Sequence, residues 1–167
     1  MDYNIFKPVK PVEEYKADLS FIGGRTPQRD TFKKDMERLF DAVKFYGNGY
    51  GKEVINEEFT AVCSSSTYML SLNTFNNLKD YFSNRLLRYL GCGCCVLHYD
   101  PTESLGKYFI DCEDLILFKD IKDLESKLKR VNAGTLAING RTKALNNYTW
   151  DHSIQKILGI IKNDGVC

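Results

Sequence analysis

The sequence predicts an α/β fold: a single Rossmann-like, doubly wound parallel sheet of about five strands with helices on both faces. Short apolar runs alternate along the chain with segments whose apolar residues repeat at helical spacing. The runs are continuously apolar, which is typical of strands buried on both faces. Each run ends in a loop rich in Gly, Asn or Pro. Ligands of such sheets bind at the carboxyl ends of the strands, near the point where strand order reverses, so function is expected in the loops after the first four strands.

Each element follows from this alternation. Pro8 and Pro11 oppose helix formation in residues 1–16, which are predicted to be an extended lead-in to one domain at residues 17–167. The predicted strands are residues 18–22, 43–46, 68–72, 94–98 and 115–118. The predicted helices are residues 30–40, 56–63, 83–91, 121–131, 134–146 and 150–162. A chain of 167 residues is long enough to bury the core of one such domain.

Composition and charge narrow the class of protein. The chain is 43% hydrophobic and 27% charged, the composition of an ordinary globular domain rather than a disordered segment. Its net charge of +1 at pH 7 gives no overall field that would favour nucleic acid or an anionic membrane. No segment approaches the roughly 18 apolar residues of a membrane span, and the polar start predicts no signal peptide. A cytoplasmic protein that does not bind nucleic acid is expected.

The six cysteines predict buried, reduced thiols rather than a disulfide framework or a metal site. Three of them crowd into the sequence CGCC at residues 92–95, where neighbouring side chains point in opposite directions. The two histidines, His98 and His152, are far apart in sequence, so no zinc-ligand set is complete and no metal is expected. Reduced thiols agree with a cytoplasmic location.

Residues 81–98, YFSNRLLRYLGCGCCVLH, combine a predicted helix, a tight Gly-Cys-Gly turn and a buried strand. Ser83 is placed to cap the helix by accepting a hydrogen bond from a first-turn N–H group. Arg85 and Arg88 share one helix face at i, i+3 spacing, and two guanidinium groups beside a cleft suit a phosphorylated ligand. The alternative is a solvated arginine face on a core helix.

Five segments carry a resemblance to a known family. They are FIGGRTPQR after the first strand, YGNGYG after the second, CSSSTYMLSLNTFNN around the third, the stretch at 81–98, and YTWDH before the last helix. With these segments, residues 18–167 resemble the carboxyl-terminal, donor-binding domain of a GT-B glycosyltransferase, of the family-1/family-4-like type that includes the CgeB-like spore-maturation proteins. The resemblance implies one half of a GT-B fold, with a UDP-, GDP- or dTDP-linked sugar as substrate and no separate cofactor.

The resemblance implies a diphosphate site in the loop after the first strand. Gly23 and Gly24 would let the backbone approach the diphosphate of the nucleotide sugar, and Arg25 and Arg85 would neutralise its charge. Arg29 is a possible further positive charge from the same loop. For Arg25, the alternative is a turn arginine in solvent.

The loop after the second strand would border the nucleotide through Gly47, Asn48 and Tyr50. The Tyr50 ring either stacks on the base or packs within its own loop. Arg88 is a further nucleotide-binding candidate, but it departs from the family: many relatives carry a glutamate there, in a pattern like R-x-x-E-x-x-x-x-G, that would hold the ribose hydroxyls. Because arginine cannot accept hydrogen bonds, ribose recognition must differ here, or an extra phosphate contact replaces it.

The loop after the third strand would meet the sugar. Asn73, Asn76 and Asn77 are candidates because an amide both donates and accepts hydrogen bonds, and capping of their own loop is the alternative. Asp80 occupies roughly the place of an acidic residue that contacts the sugar in the family, although capping of the following helix explains it equally well. His98 is expected to face the cleft, where it could orient a phosphate or transfer a proton; a hydrogen-bonded strand-end histidine is the alternative.

Length is the larger departure from the family. A GT-B enzyme has two Rossmann-like domains, one for the donor and one for the acceptor, and 167 residues hold one. The acceptor half is therefore expected from a separate acceptor-domain protein or from a homodimer, and the sequence identifies no catalytic residue. The predicted function is that of a glycosyltransferase or of its donor-binding half. The alternative is a non-catalytic nucleotide-sugar-binding module that acts with a partner protein.

Overall fold

The computed structural model describes residues 1–163 and confirms the predicted fold class. The strands are β1 (Ala17–Ile22), β2 (Val43–Tyr46), β3 (Ser66–Ser71), β4 (Cys95–Tyr99) and β5 (Ile116–Phe118). They form one parallel sheet in the order β2-β1-β3-β4-β5. Each strand lies within two residues of its predicted position, because the apolar runs that predicted the strands are the segments that the sheet buries.

Six α-helices connect the strands and close the domain. They are α1 (Pro27–Leu39), α2 (Asn56–Ser65), α3 (Asn84–Gly91), α4 (Ile121–Leu128), α5 (Ala133–Asn147) and α6 (Trp150–Asn163). The first helix begins three residues earlier than predicted. Thr26 caps it, since its Oγ1 accepts a hydrogen bond from the Arg29 backbone N–H at 3.2 Å, and Pro27 suits the first helical position because its missing N–H is not needed there.

The sheet separates two apolar layers, as the doubly wound prediction requires. On one face, Leu19 and Phe21 of β1 pack with Met36 of α1, together with residues of α4. On the other face, Ile22 of β1 packs with Leu86 of α3, together with residues of α2. The sheet is therefore covered on both sides, and its carboxyl edge remains free to carry a site.

Strand order reverses at β1. This strand pairs with β2 on one side and with β3 on the other, so the chain leaves β1 and β3 toward opposite sides of the sheet. The loops that follow these two strands consequently diverge and leave a crevice between them at the carboxyl edge.

The predicted Ser83 cap is wrong. Ser83 does precede α3, but its side chain caps no backbone N–H group, and among the described residues its buried Oγ has no hydrogen-bond partner. The Leu86 N–H donates instead to the Ser83 carbonyl oxygen at 3.0 Å, and the Ser83 N–H donates to Asn73 Oδ1 at 3.1 Å. The start of α3 is thus fixed by the loop after β3 rather than by its own side chain.

The lead-in at residues 1–16 packs against the domain. Met1 and Tyr15 are buried in the core layer on the α3 side of the sheet. The Met1 ammonium group donates to the Tyr148 carbonyl oxygen at 2.9 Å, and the Trp150 N–H donates to the Met1 carbonyl oxygen at 3.2 Å. These bonds tie the beginning of the chain to the start of α6.

Five cysteines are free thiols: Cys63, Cys92, Cys94 and Cys95 are buried, and Cys112 is half-buried. This state agrees with the predicted reduced thiols, whereas Cys167 lies outside the described residues. Burial raises the pKa of the Cys63 and Cys94 thiols, so both stay protonated and unreactive at neutral pH. Within residues 1–163, no helix is long and apolar enough to cross a membrane.

Candidate functional site

Two arginines meet over one aromatic ring at the crevice between β1 and β3. The ring belongs to Phe21, which is fully buried near the end of β1. The guanidinium carbon of Arg29 lies 5.3 Å from the ring centroid, and that of Arg85 lies 5.2 Å from it. No carboxylate of the described chain comes within 4.0 Å of either guanidinium group. Phe21 therefore holds two positive charges together that the protein itself leaves unneutralised.

Arg29 is the more buried of the two. It is 6% exposed, and its Nη1 donates to the Gly24 carbonyl oxygen at 2.6 Å. Burial, and secondarily the nearby positive charge of Arg85, lowers the pKa of the Arg29 guanidinium from its ordinary value. A buried cation beside a second cation is unfavourable unless an anion joins them, so the electrostatics of this pair favour an anionic ligand.

Arg85 reaches the crevice from the first turn of α3. Its Nη1 donates to the carbonyl oxygen of Leu72, the residue that follows β3. Gly23 allows this approach, because a Cβ atom at that position would lie 2.8 Å from Phe21 Cζ and 3.0 Å from Arg85 Nη1. A Cβ atom at Gly24 would meet nothing within 4 Å. The two glycines thus differ: Gly23 makes room for the ring and the arginine, and Gly24 borders open space.

Arg25 is placed differently from Arg29 and Arg85. Its side chain is exposed, and its Nε forms an ion pair with Asp30 Oδ2 at 2.9 Å. Its backbone N–H donates to the Asn48 carbonyl oxygen at 2.8 Å. The expected role of Arg25 at a diphosphate stays a prediction, and its charge is already partly neutralised by a carboxylate.

The loop after β2 packs directly on the loop after β1. Gly47 has φ +115°, and a Cβ atom there would lie 2.6 Å from the Gly23 carbonyl oxygen. Gly49 has φ +84°, and a Cβ atom there would lie 2.7 Å from Arg25 Cβ. Both positions need glycine for its backbone conformation and for space. This contact holds the glycine-rich loops at the crevice.

Tyr50 packs within its own region rather than presenting a free ring. Its ring centroid lies 6.3 Å from that of Phe21 and 5.2 Å from that of Phe45. Its hydroxyl oxygen is buried, and no group in the described part of the chain forms a hydrogen bond with it. Burial, with the nearby negative charge of Asp30, raises the pKa of Tyr50 to about 12. These contacts favour loop packing over stacking on a base.

The loop asparagines mostly fasten the loop after β3. Asn73 is buried, and its Nδ2 donates to the Tyr81 carbonyl oxygen at 3.0 Å. Asn76 is also buried; its Oδ1 accepts from the Asn73 N–H at 2.9 Å, and its Nδ2 donates to Gln28 Oε1 at 3.1 Å. Asn77 is exposed. The contacts thus favour the loop-capping alternative for the first two residues and leave the third free to meet a ligand.

Asp80 does not cap the helix that follows it. Its backbone has φ +61°. Its N–H donates a hydrogen bond to Ser104 Oγ at 2.8 Å, and its carboxylate forms an ion pair with Lys107 Nζ at 2.8 Å. These contacts connect the loop after β3 to the segment after β4. The expected contact of Asp80 with a sugar stays a prediction.

His98 does not face the cleft, contrary to expectation. It is fully buried in β4, on the side of the sheet that it shares with its register partner Ser71, and its Nδ1 lies 2.9 Å from Ser71 Oγ. Its Nε2 is buried and has no hydrogen-bond partner within residues 1–163. Burial lowers the pKa of His98 to about 4, so the ring is neutral at pH 7. The hydrogen-bonded histidine, one of the two alternatives, is what the fold contains.

A cavity of about 580 Å³ adjoins the arginine pair. Arg85 lines it together with Arg88, whose guanidinium carbon lies 4.9 Å from the centroid of the Phe6 ring. The other lining residues are Asp2, Ile5, Phe6, Ile22, Val54, Ile55, Asn56, Phe59 and Trp150. The sequence did not single out Asp2 or Phe6, because the polar, proline-containing start of the chain carries no periodic pattern that would predict a packed wall.

Two cavities of similar size lie away from this edge of the sheet. One, of about 650 Å³, is lined by Ala17 and Ser66 at the amino ends of β1 and β3. The other, of about 530 Å³, is lined by Asp111 and Arg130, far from the glycine loops. Across the described residues, no group of three or more His, Cys, Asp or Glu side chains is arranged to hold a metal ion. The carboxyl-edge crevice is therefore the candidate site.

Several solved structures share this fold. A sucrose-phosphate synthase from Thermosynechococcus elongatus aligns with a TM-score of 0.66 and 17% identity, over 99% of this chain and 51% of that chain. The Anabaena protein HepE, in complex with UDP-glucose, aligns with a TM-score of 0.70 and 9% identity, over 98% of this chain and 56% of that chain. The carboxyl-terminal domain of a group 1 family glycosyl transferase from Francisella tularensis aligns with a TM-score of 0.60 and 15% identity, over 90% of this chain and 99% of that chain. At these identities the likeness establishes the fold.

The chain thus spans about half the length of the synthase and of HepE, and nearly all of the isolated carboxyl-terminal domain. No curated protein sequence matches it. A family model does: the model described as glycosyl transferase-like matches residues 25–159. That match covers most of the chain, including Arg29, Arg85 and the glycine-rich loop after β2, and the chain belongs to the glycosyl transferase-like family.

Proposed function

We propose that this chain is the donor-binding domain of a GT-B-type glycosyltransferase of the CgeB-like group. In this proposal it binds a nucleotide-diphosphate sugar at the carboxyl edge of its sheet and presents the sugar to an acceptor held elsewhere. Membership of the glycosyl transferase-like family supports the reaction class, and HepE, which has the same fold, was solved with UDP-glucose.

The arginine pair over Phe21 is the observation that carries the proposal. Arg29 and Arg85 converge on one ring at the reversal of strand order, and neither has a carboxylate partner in the described chain. A guanidinium group presents a planar fork of N–H donors that matches phosphate oxygens. Two such groups suit the two phosphates of a diphosphate, and Gly24 borders the open space that the ligand requires.

The same pair supplies the electrostatic part of the chemistry. Breaking the bond between sugar and diphosphate develops negative charge on the leaving diphosphate. Guanidinium groups that are already held in place stabilise that charge without reorganisation, which lowers the barrier to transfer. Phe21 and the carbonyl oxygens of Gly24 and Leu72 supply this fixation for Arg29 and Arg85.

An acceptor-binding half must come from outside the described residues. The chain aligns with only 51% of the synthase and 56% of HepE. The outer face of α6 supports a partner, since Trp150, Ile154, Ile157 and Leu158 are each at least half exposed on this one helix. We propose that a separate acceptor-domain protein or a second copy of the chain covers this face and completes the cleft.

A second candidate function is a non-catalytic nucleotide-sugar-binding module. Arg88 favours it, because a guanidinium stands where the family resemblance places a ribose-binding carboxylate. Both candidates require binding of a nucleotide diphosphate, and only the first requires release or transfer of the sugar. Binding without donor hydrolysis or transfer, in the presence of candidate partner proteins, would select the module.

Calorimetric titration with UDP, GDP and dTDP tests the proposal. We expect at least one of them to bind, and Arg85→Ala to weaken that binding by about tenfold or more, because a charge-assisted hydrogen bond to phosphate is lost. Arg38→Ala is the matched control: it lies outside the crevice and pairs with Asp35 at an exposed position, so we expect a change below about threefold, the scale of an exposed ion pair. Failure of all three nucleotides to bind, or equal losses in the two variants, would contradict the arginine-pair assignment.

A further inference from the structure

The cavity beside the arginine pair has the size and walls of a site for an aromatic ring. Its volume of about 580 Å³ falls within the roughly 300–1,000 Å³ typical of small-molecule sites. Phe6, Phe59 and Trp150 line it, and the Phe6 and Phe59 rings meet edge to face with centroids 5.6 Å apart. Arg85 belongs both to this cavity and to the pair over Phe21. A ligand whose phosphates lie at Arg85 can therefore extend its ring into the cavity.

Beside Arg85, the charged side chains that line the cavity are Arg88 and Asp2, and Asn56 adds an amide. Arg88 stacks on Phe6, and its N–H groups have no acceptor among the described residues. Asp2 is half-buried; its Oδ1 accepts one hydrogen bond, from the Asn4 N–H at 2.9 Å, and its Oδ2 accepts none within residues 1–163. Asp2 and Arg88 both line the cavity, and within residues 1–163 they form no ion pair with each other, so their charged atoms lie more than 4.0 Å apart. The cavity thus offers a fork of donors and a carboxylate to one ligand.

Among the common nucleobases, guanine matches that combination. Its O6 and N7 atoms are adjacent acceptors that an arginine fork binds in a bidentate way. Its N1–H and N2–H groups are adjacent donors that one carboxylate binds in the same way. Uracil and thymine place acceptors on both sides of a single N–H group, so a carboxylate facing them is repelled. Adenine offers an amine beside N7, and the amine opposes an arginine.

We propose that this cavity selects guanine, and hence that the donor is linked to guanosine diphosphate. In this arrangement Arg88 binds O6 and N7, Asp2 binds N1–H and N2–H, and the ring lies against the aromatic wall formed by Phe6 and Phe59. Arg85, one helical turn before Arg88, stays with the phosphates. This inference rests on the proposed function, and it narrows the donor to one nucleotide class.

Calorimetric titration with nucleoside diphosphates is the test. The wild-type protein should bind GDP at least about tenfold more tightly than UDP, dTDP or ADP, the scale of one bidentate base contact. It should also prefer GDP to inosine diphosphate, which lacks the N2 amine, and to 7-deaza-GDP, which lacks the N7 acceptor. The comparison with inosine diphosphate thereby tests the contact of Asp2 with the N2 amine, and the comparison with 7-deaza-GDP tests the contact of Arg88 with N7.

Variants assign each contact. Asp2→Asn should remove the preference for GDP over inosine diphosphate and should increase affinity for xanthosine diphosphate, whose O2 a carboxylate repels and an amide can bind. A gain of affinity for a new ligand cannot come from a poorly folded protein. Arg88→Gln should remove the preference for GDP over 7-deaza-GDP. Asp41→Asn and Arg38→Gln, at exposed positions, are the matched controls and should keep all wild-type preferences.

The outcomes separate this inference from the proposed function. Tight binding of UDP or dTDP in preference to GDP would overturn the guanine assignment and leave the nucleotide-diphosphate site standing. Preference for GDP that survives Asp2→Asn and Arg88→Gln unchanged would overturn the residue assignment. Absence of binding by every nucleoside diphosphate would overturn both.

Discussion

The neighbouring glycines Gly23 and Gly24 allow one structural prediction to be worked through. A Cβ atom at Gly23 would lie 2.8 Å from Phe21 Cζ, so Gly23→Ala must displace a fully buried ring and the arginine that stacks on it. A Cβ atom at Gly24 would meet nothing within 4 Å, and its φ lies outside the left-handed range. The same chemical change is therefore crowded at one position and unhindered at the next.

The two substitutions should change the stability of the protein in opposite directions. Forcing an extra methyl group into a packed region costs about 1–3 kcal/mol. In a domain of this size each kcal/mol lowers the melting temperature by about 2–4 °C, so Gly23→Ala should lower it by roughly 2–12 °C. Gly24→Ala should leave it unchanged or raise it slightly, because alanine restricts the unfolded chain by about 0.4–1 kcal/mol.

Thermal unfolding followed by circular dichroism measures both variants against the wild type. Equal melting temperatures for the two variants, or a larger loss in Gly24→Ala, would refute the packing that we assign to Phe21 and Arg85. Nucleotide titration of the same two proteins adds a second readout. If Gly24 borders the diphosphate, Gly24→Ala weakens binding while the protein remains as stable as the wild type.

Two further predictions concern buried polar groups. Burial lowers the pKa of His98 to about 4, so between that value and about pH 6.5 the unfolded chain binds a proton that the folded chain does not. The free energy of unfolding should therefore be independent of this group above about pH 6.5. It should fall on acidification toward pH 4, by up to about 1.4 kcal/mol per pH unit. Urea unfolding between pH 7 and 5 should therefore show a shallower pH dependence in His98→Gln than in the wild type, and identical slopes would contradict this. Tyr89 accepts a hydrogen bond from the Ile22 N–H at 3.0 Å, so Tyr89→Phe should cost about 1–3 kcal/mol by leaving that buried donor unpaired. Urea unfolding measures this loss, and Tyr81→Phe, at an exposed position, is the control. A similar loss of stability in both variants would contradict the role assigned to the Tyr89 hydrogen bond.

The sheet could be predicted because its signal is local. Continuous apolar runs such as residues 43–46 and 68–72 are the segments that a doubly covered sheet buries, and each sits next to a turn-forming loop. The ends of the helices are harder to predict, because they depend on contacts that are not local in sequence. Residue-type preferences near a helix end do not reveal which hydrogen bonds compete, and at Ser83 the loop amide of Asn73 fixes the backbone that a side-chain cap was expected to fix.

The loops that border the candidate site could be predicted from the sequence, but the arrangement of their side chains could not. Arg25 lies in the loop after β1 and Arg29 in the first turn of α1, and the sequence favoured Arg25 because it directly follows the glycines. The fold pairs Arg25 with Asp30, one turn into α1, and turns Arg29 back onto Gly24. The choice depends on the direction in which α1 leaves the loop, which is a tertiary property. His98 is likewise buried by tertiary packing, because both faces of β4 are covered and its neighbours Val96 and Leu97 are buried as well.

Three arginines at this edge are held in the same way, and that shared arrangement favours a shared ligand. Arg29 and Arg85 stack on Phe21, and Arg88 stacks on Phe6, so each guanidinium is fixed by an aromatic ring rather than by a carboxylate. A ring fixes a cation without cancelling its charge, whereas an ion pair such as that of Arg25 does both. Repulsion among these three positive charges lowers the stability of the protein without ligand. An anionic ligand that carries an aromatic ring would offset that repulsion. A nucleotide has both properties. In the proposed arrangement its phosphates lie between Arg29 and Arg85 and its base lies toward Arg88.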